Sequence, residues 1–93
     1  MQISFAPAFL KQIEKLDPQV RMAAKEATSR VIDFYESDVR ATGLGVKRLR
    51  GDIWEARSGL RIRVLYRLSG GTLRFVLAGG HDDVRRFLRS LAP

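Results

Sequence analysis

Residues 60–78, LRIRVLYRLSGGTLRFVLA, have the clearest structural pattern in the chain. From Leu60 to Leu68, apolar residues alternate with mostly basic ones, which is the period of a strand with one buried face. Ser69-Gly70-Gly71 is a hairpin turn signal. Thr72–Ala78 then returns as the last strand, and we expect three of its side chains to face the core: Leu73, Phe75 and Leu77. The sequence predicts an antiparallel hairpin.

Upstream of this hairpin the pattern is first helical. Gln2–Phe5 suits a short strand, and apolar residues at helical spacing follow Pro7, where a helix commonly begins. Asp17-Pro18 predicts a stop and a second helix that runs to about Asp38. Residues 41–46 carry Gly43 and Gly45 and read as a loop, and residues 53–57 read as a strand.

Downstream, Gly79-Gly80 ends the last strand, and Asp82 and Asp83 favour the start of a final helix. The predicted order is β-α-α-β-β-β-α over one domain, residues 1–93. We expect a small α+β domain in which a helical hairpin packs on one face of an antiparallel sheet and the other face stays open to water.

Composition narrows the function classes. The 17 Lys and Arg against 10 Asp and Glu leave a charge of +7, and arginine, whose planar fork suits phosphate, strongly outnumbers lysine. With no cysteine and one histidine, His81, we expect neither a disulfide nor a metal site, and nothing implies a cofactor. No apolar run is long enough to span a bilayer and no signal peptide is visible, so we expect a cytoplasmic protein with no membrane partner.

Strand periodicity gathers cations on one sheet face, which we call the arginine face. Arg61, Arg63 and Arg67 alternate with the apolar side chains of their strand, and Arg57 and Glu55 join them if Trp54 and Ala56 point inward. The preceding loop adds three more: Lys47, Arg48 and Arg50. Such an excess of like charge favours an anionic ligand, nucleic acid first; a solvated polar sheet face is the alternative.

The chemistry available to such a face is phosphoryl transfer. Arginines hold a phosphodiester and stabilise the charge of its transition state, whereas RNA cleavage also needs an acid and a base. The acid–base candidates are few: His81, Glu55, Asp82, Tyr66 and Lys47. Histidine is the type suited to proton transfer near neutral pH, although His81 also fits a structural role at the start of the last helix. Tyr66 and Trp54 are in phase with the core and favour packing.

Three segments resemble the RelE/ParE toxin superfamily: residues 49–57 (LRGDIWEAR), 63–66 (RVLY) and 76–82 (VLAGGHD). The likeness is greatest to its HigB or RelE branches. It implies a toxin of a type II toxin–antitoxin system, held in a hetero-oligomer by a cognate antitoxin, that enters the ribosome and cuts messenger RNA without a metal. Arg63 resembles the strand arginine of the family and Arg57 closes the WEAR motif; with Arg61 from strand alternation and His81 as the acid–base candidate, the predicted catalytic set is Arg57, Arg61, Arg63 and His81. The RNA-binding set is Lys47, Arg48, Arg50, Arg67 and Arg85.

The chain departs from the ribonuclease pattern at its end. Where several members carry a functional tyrosine, this chain has Arg85 and Phe87, so His81 would have to take the acid–base role. Three hypotheses stay open: a ribosome-dependent endoribonuclease, a DNA gyrase inhibitor like the ParE branch, and an inactive antitoxin-binding module.

Overall fold

The computed structural model describes residues 1–38, 44–59 and 62–91. Five strands and three helices lie in this part of the chain. In chain order they are β1 (Gln2–Phe5), α1 (Pro7–Lys15), α2 (Pro18–Ser37), β2 (Leu44–Arg50), β3 (Ile53–Ser58), β4 (Ile62–Ser69), β5 (Thr72–Gly79) and α3 (His81–Ser90). No helix within these ranges combines the length and the apolar character needed to cross a membrane.

The strands form a single sheet in the order β1-β5-β4-β3-β2. The predicted β4–β5 hairpin is confirmed: Ser69 pairs with Thr72, and Gly70 and Gly71 between them have φ of +56° and +77°, as a two-residue turn of the primed kind requires. The expectation of a purely antiparallel sheet is wrong, because β1 pairs parallel to β5.

The predicted loop at 41–46 is also wrong where it can be checked. Residues 41–43 lie outside the described ranges, but Leu44–Val46 begin β2, which pairs antiparallel with β3. Leu44 is buried, Val46 is half-buried and Gly45 and Lys47 are exposed, so the segment has the period of a strand despite its glycine. An edge strand tolerates glycine because it pairs on one side only.

The helical hairpin packs on one sheet face, as predicted. The core on this side joins Phe9, Ile13, Ala24, Ala27 and Val31 of the helices to Ile62, Val64, Tyr66, Leu73 and Phe75 of the central strands. Small residues on α2 let it lie close to the sheet, and Ala24 and Ala27 are wholly buried. Tyr66 is buried at this interface, with its hydroxyl 2.9 Å from that of Tyr35 on α2.

The opposite face is not open to water as expected, because α3 covers part of it. A second apolar cluster joins Val84 of α3 to Ile53, Leu65 and Leu77 of the sheet. The side assigned to Leu77 is therefore also wrong. Tyr66 pairs with Phe75 while Leu65 pairs with Leu77, so Val76 is an extra residue in β5. This β-bulge breaks the period-2 alternation and turns Leu77 toward α3.

Candidate nucleic-acid interface

The strand register sorts the arginine face into rows, because directly paired residues point to the same side of a sheet. The near row contains the paired residues Gly45, Arg57, Arg63 and Gly79. The middle row contains Lys47, Glu55, Leu65 and Leu77. The far row contains Arg50, Ile53, Arg67, Arg74 and Ser4. The apolar members, Ile53, Leu65 and Leu77, are the ones under α3, so this helix covers the middle row and part of the far row.

The near row sets two arginines side by side. Arg57 on β3 is the direct partner of Arg63 on β4, and like charges placed opposite each other repel. Glu55 neutralises one of them: its Oε1 lies 3.1 Å from Nε of Arg63, and the two side chains are only 11% and 15% exposed. Arg57 is exposed, so one positive charge of the pair faces solvent.

Lys47 extends this cationic surface toward the sheet edge, whereas Arg48 does not. Lys47 pairs with Glu55 and therefore shares its face, and its side chain is exposed. Arg48 pairs with Trp54, on the face that the helical hairpin covers, and its Nε donates to the Gly51 carbonyl at 2.7 Å. Lys47, Arg48 and Arg50 belong to β2 and not to a loop, and strand alternation separates the first two.

In the far row, Arg67 forms an ion pair with Asp52 of the β2–β3 turn, at 3.0 Å between Nη1 and Oδ1. Arg50 reaches over to α3 and donates from Nη1 to the Leu88 carbonyl at 3.3 Å. Arg74, which the sequence analysis missed, pairs directly with Arg67 and donates to the Ser4 hydroxyl. The two-residue turn could have predicted this pairing. If Ser69 lies opposite Thr72, counting back along both strands places Arg67 opposite Arg74.

His81 is the first residue of α3, two positions beyond Gly79 of the near row. Its side chain is 61% exposed, and Nδ1 lies 3.4 Å from Oδ1 of Asp82. Asp83, two residues further on, accepts a hydrogen bond from the Gly80 amide at 2.9 Å and caps the helix. These contacts place the histidine at an exposed helix start at the near-row end of β5.

Arg85 lies on the outer side of α3. It is exposed and lines a surface cavity of about 310 Å³ with Asp82, Arg86 and Arg89. Phe87 packs against the apolar cluster between α3 and the sheet. Arg85 is thus separated from the near row by the helix to which it belongs.

The remaining residues considered in the sequence either lie in the core or lie outside the described residues. Trp54 and Tyr66 pack in the core beneath the helical hairpin, as predicted. Arg61 and Leu60 lie outside the described residues. Within the described ranges, no three His, Cys, Asp or Glu side chains come together as a group able to hold a metal ion.

No family model and no curated protein matches the sequence. Solved structures do match. A chain of the RelB–RelE antitoxin–toxin complex from Methanococcus jannaschii has a TM-score of 0.65 at 17% identity, covering 90% of this chain and 96% of that one. YafQ from E. coli has a TM-score of 0.67 at 15% identity, covering 89% and 96%. The YoeB/ParE toxin from Agrobacterium tumefaciens has a TM-score of 0.62 at 17% identity, covering 87% and 99%. The chain therefore has the fold of the RelE/ParE toxins, as the resemblance of its sequence motifs predicted.

Proposed function

We propose that this chain is the toxin of a type II toxin–antitoxin pair and that it cuts messenger RNA on the ribosome. The observation that carries the proposal is the near row. Two arginines lie directly opposite each other and one buried carboxylate pairs with Arg63 alone, which leaves the charge of Arg57 uncompensated on a surface that also carries Lys47. Like charges placed opposite each other destabilise a sheet, and a bound anion would offset that repulsion.

The chemistry this row can support is cleavage by the RNA's own 2′-hydroxyl. The 2′-oxygen attacks the adjacent phosphorus, a P–O2′ bond forms and the P–O5′ bond breaks. The products are a 2′,3′-cyclic phosphate and a 5′-hydroxyl. The phosphoryl oxygens gain negative charge in the transition state, and the guanidinium groups of Arg57 and Arg63 stabilise that charge.

Arg63 is well suited to this role because it is held in place. Its Nε is bound to Glu55, and the low exposure of both side chains restricts the rotamers available to the guanidinium. A preorganised donor costs no reorganisation when charge develops, which is the condition for effective electrostatic catalysis. Arg57, which is exposed, can move to follow the phosphate.

Two protons must also move: one leaves the 2′-hydroxyl and one reaches the departing 5′-oxygen. We assign the second transfer to His81. It is exposed and lies two residues beyond the near-row residue Gly79, whereas Glu55 is buried in its ion pair with Arg63 and Tyr66 is in the core. The first proton can leave to water at the open edge strand, where the ammonium of the exposed Lys47, opposite Glu55, stabilises the oxyanion that forms.

The proposed partner is a cognate antitoxin. The similar chains from Methanococcus jannaschii and E. coli occur in the RelB–RelE and DinJ–YafQ toxin–antitoxin complexes. A net charge of +7 concentrated partly on one sheet face favours an antitoxin segment that is acidic and covers the arginine face.

Inhibition of DNA gyrase is a second candidate function. Phe87 is the observation that favours it, because this side chain packs between α3 and the sheet and carries no hydroxyl where ribonuclease members have a functional tyrosine. A gyrase inhibitor needs the basic surface for binding but needs no acid–base pair.

Primer extension on cellular messages, shortly after induction of the chain without antitoxin, separates these functions. We expect new 5′ ends within translated frames, lost in Arg63→Ala and reduced in His81→Ala. Arg30→Ala, on α2 and paired with Glu26, is the matched control that removes an arginine away from the face. Growth arrest with intact messages would contradict the ribonuclease and favour gyrase, and no arrest would contradict both.

A further inference from the structure

The far row carries more positive charge than its own contacts neutralise. Three of its members are arginines on three different strands: Arg50, Arg67 and Arg74. Asp52 is paired with Arg67 across 3.0 Å, whereas Arg74 is held by the neutral Ser4 hydroxyl and Arg50 by the Leu88 carbonyl. Arg67 and Arg74 are direct cross-strand partners, so their charges repel.

These arginines also keep hydrogen-bonding capacity. The described contacts of Arg67 and Arg74 are made through Nη1, and a guanidinium has five N–H donors. The Arg67 side chain is 39% exposed and that of Asp52 35%, so solvent and a ligand can reach the pair. Neighbouring strands are about 4.8 Å apart. Arg67 extends toward Asp52 beside β3 and Arg74 extends toward Ser4 of β1, so the two guanidinium groups lie to opposite sides of the β4–β5 pair and would bind different phosphates of one nucleic-acid strand.

The two arginine rows are spaced along the same strands. Arg63 and Arg67 belong to β4 and are four residues apart, a separation of about 13 Å at the rise of a strand. Between them α3 covers Leu65 and Leu77. A nucleic-acid strand that meets the near row can therefore meet the far row only by passing over or beside α3, whose outer side carries Arg85, Arg86 and Arg89.

From this geometry we infer that the far row is a second phosphate-binding subsite, in which Arg67 and Arg74 bind the backbone of the RNA at a distance from the near row, and that Asp52 weakens this binding by occupying Arg67. The inference rests on the proposed action on RNA and adds to it a subsite that contacts backbone and not the scissile phosphate. Arg74 and Asp52 are its distinguishing residues, since neither belongs to the near row.

Salt-dependent binding of a single-stranded 2′-O-methyl RNA oligonucleotide, which has no free 2′-hydroxyl and cannot be cut, tests the subsite. A phosphate contact to single-stranded RNA contributes about 0.7 to the slope of log K against log salt. We expect Arg74→Ala to weaken binding and to lower the slope by about that amount. Arg30→Ala, which removes the same charge from α2, is expected to leave the slope almost unchanged.

A second pair of variants leaves every arginine in place. Asp52→Asn releases Arg67, and Glu26→Gln releases Arg30, with the same change in net charge. We expect Asp52→Asn to tighten RNA binding several-fold more than Glu26→Gln. Equal effects within either pair would overturn the subsite, as would an Arg74→Ala variant that loses affinity for an acidic antitoxin peptide and none for RNA.

The outcome is separable from that of the proposed function. If Arg63→Ala lowers the RNA slope and Arg74→Ala does not, the far row is not a subsite while the near row stands. If both variants lower the slope but the wild-type chain cuts no message, the far row stands as a binding subsite and the ribonuclease proposal fails.

Discussion

At the scale of single residues, the arginine face depends on how each guanidinium is neutralised. Alternation along β3 and β4 was enough to predict that Glu55, Arg57 and Arg63 share a face. It could not predict that Glu55 is 8% exposed, because burial depends on tertiary neighbours that alternation within a strand does not specify. A carboxylate this buried is stable only if it is paired.

Glu55→Gln tests this pairing. The substitution keeps the size of the side chain and leaves the half-buried Arg63 without its counter-ion, so we expect a loss of about 2 kcal/mol in the free energy of unfolding. Urea denaturation measures it. Glu26→Gln breaks an exposed ion pair on α2 and should cost less than about 0.5 kcal/mol. Equal losses in the two variants would show that the Glu55–Arg63 pair has no special part in the fold.

Gly79 is a residue-scale constraint on where α3 begins. A Cβ at this position would lie 2.7 Å from Oδ2 and 2.8 Å from Cβ of Asp83, and the latter cannot move without the helix. We expect Gly79→Ala to cost about 1–3 kcal/mol in urea denaturation. Gly45→Ala, where a Cβ meets no atom within 4 Å, should change stability by less than about 0.5 kcal/mol. Similar losses at both glycines would contradict the close approach of β5 and α3.

At the scale of elements, the helices and the central hairpin could be predicted from the sequence, whereas β2 and the side taken by α3 could not. Gly45 and three cations make β2 look like a loop, although Leu44 and Val46 already have strand spacing. Leu65 was the residue that could have predicted the position of α3 over this face. It is an apolar side chain between Arg63 and Arg67, and it is wholly buried. An apolar residue in the middle of a basic face needs a cover.

The bulge at Val76 gives an element-scale prediction. Leu77 is 6% exposed and belongs to the cluster beneath α3, so Leu77→Ala should destabilise the domain by about 2–5 kcal/mol and loosen that helix first. Native-state hydrogen exchange is the measurement. Amides of α3 should lose protection before those of α2. Earlier loss in α1 and α2 would mean that Leu77 faces the helical hairpin, as unbroken alternation predicts.

At the scale of the whole molecule, the net positive charge and the fold both favour a toxin that binds RNA. The fold is that of the RelE/ParE toxins, and the surface carries arginines in two rows on the sheet face that α3 divides. Net charge and alternation predicted a basic face for an anionic ligand. They did not predict its division, because the position of α3 depends on a bulge and on a mixed cluster of strand residues that are distant in sequence.

If the near row supports RNA cleavage, the chemical end groups of the products will show it. Purified chain is added to a translation reaction with a defined message, and the new ends are analysed chemically. We expect 5′-hydroxyl and 2′,3′-cyclic phosphate ends that appear with the wild-type chain, persist with Arg30→Ala and are lost with Arg63→Ala. An intact message, or cleavage that Arg63→Ala leaves unchanged, would contradict it.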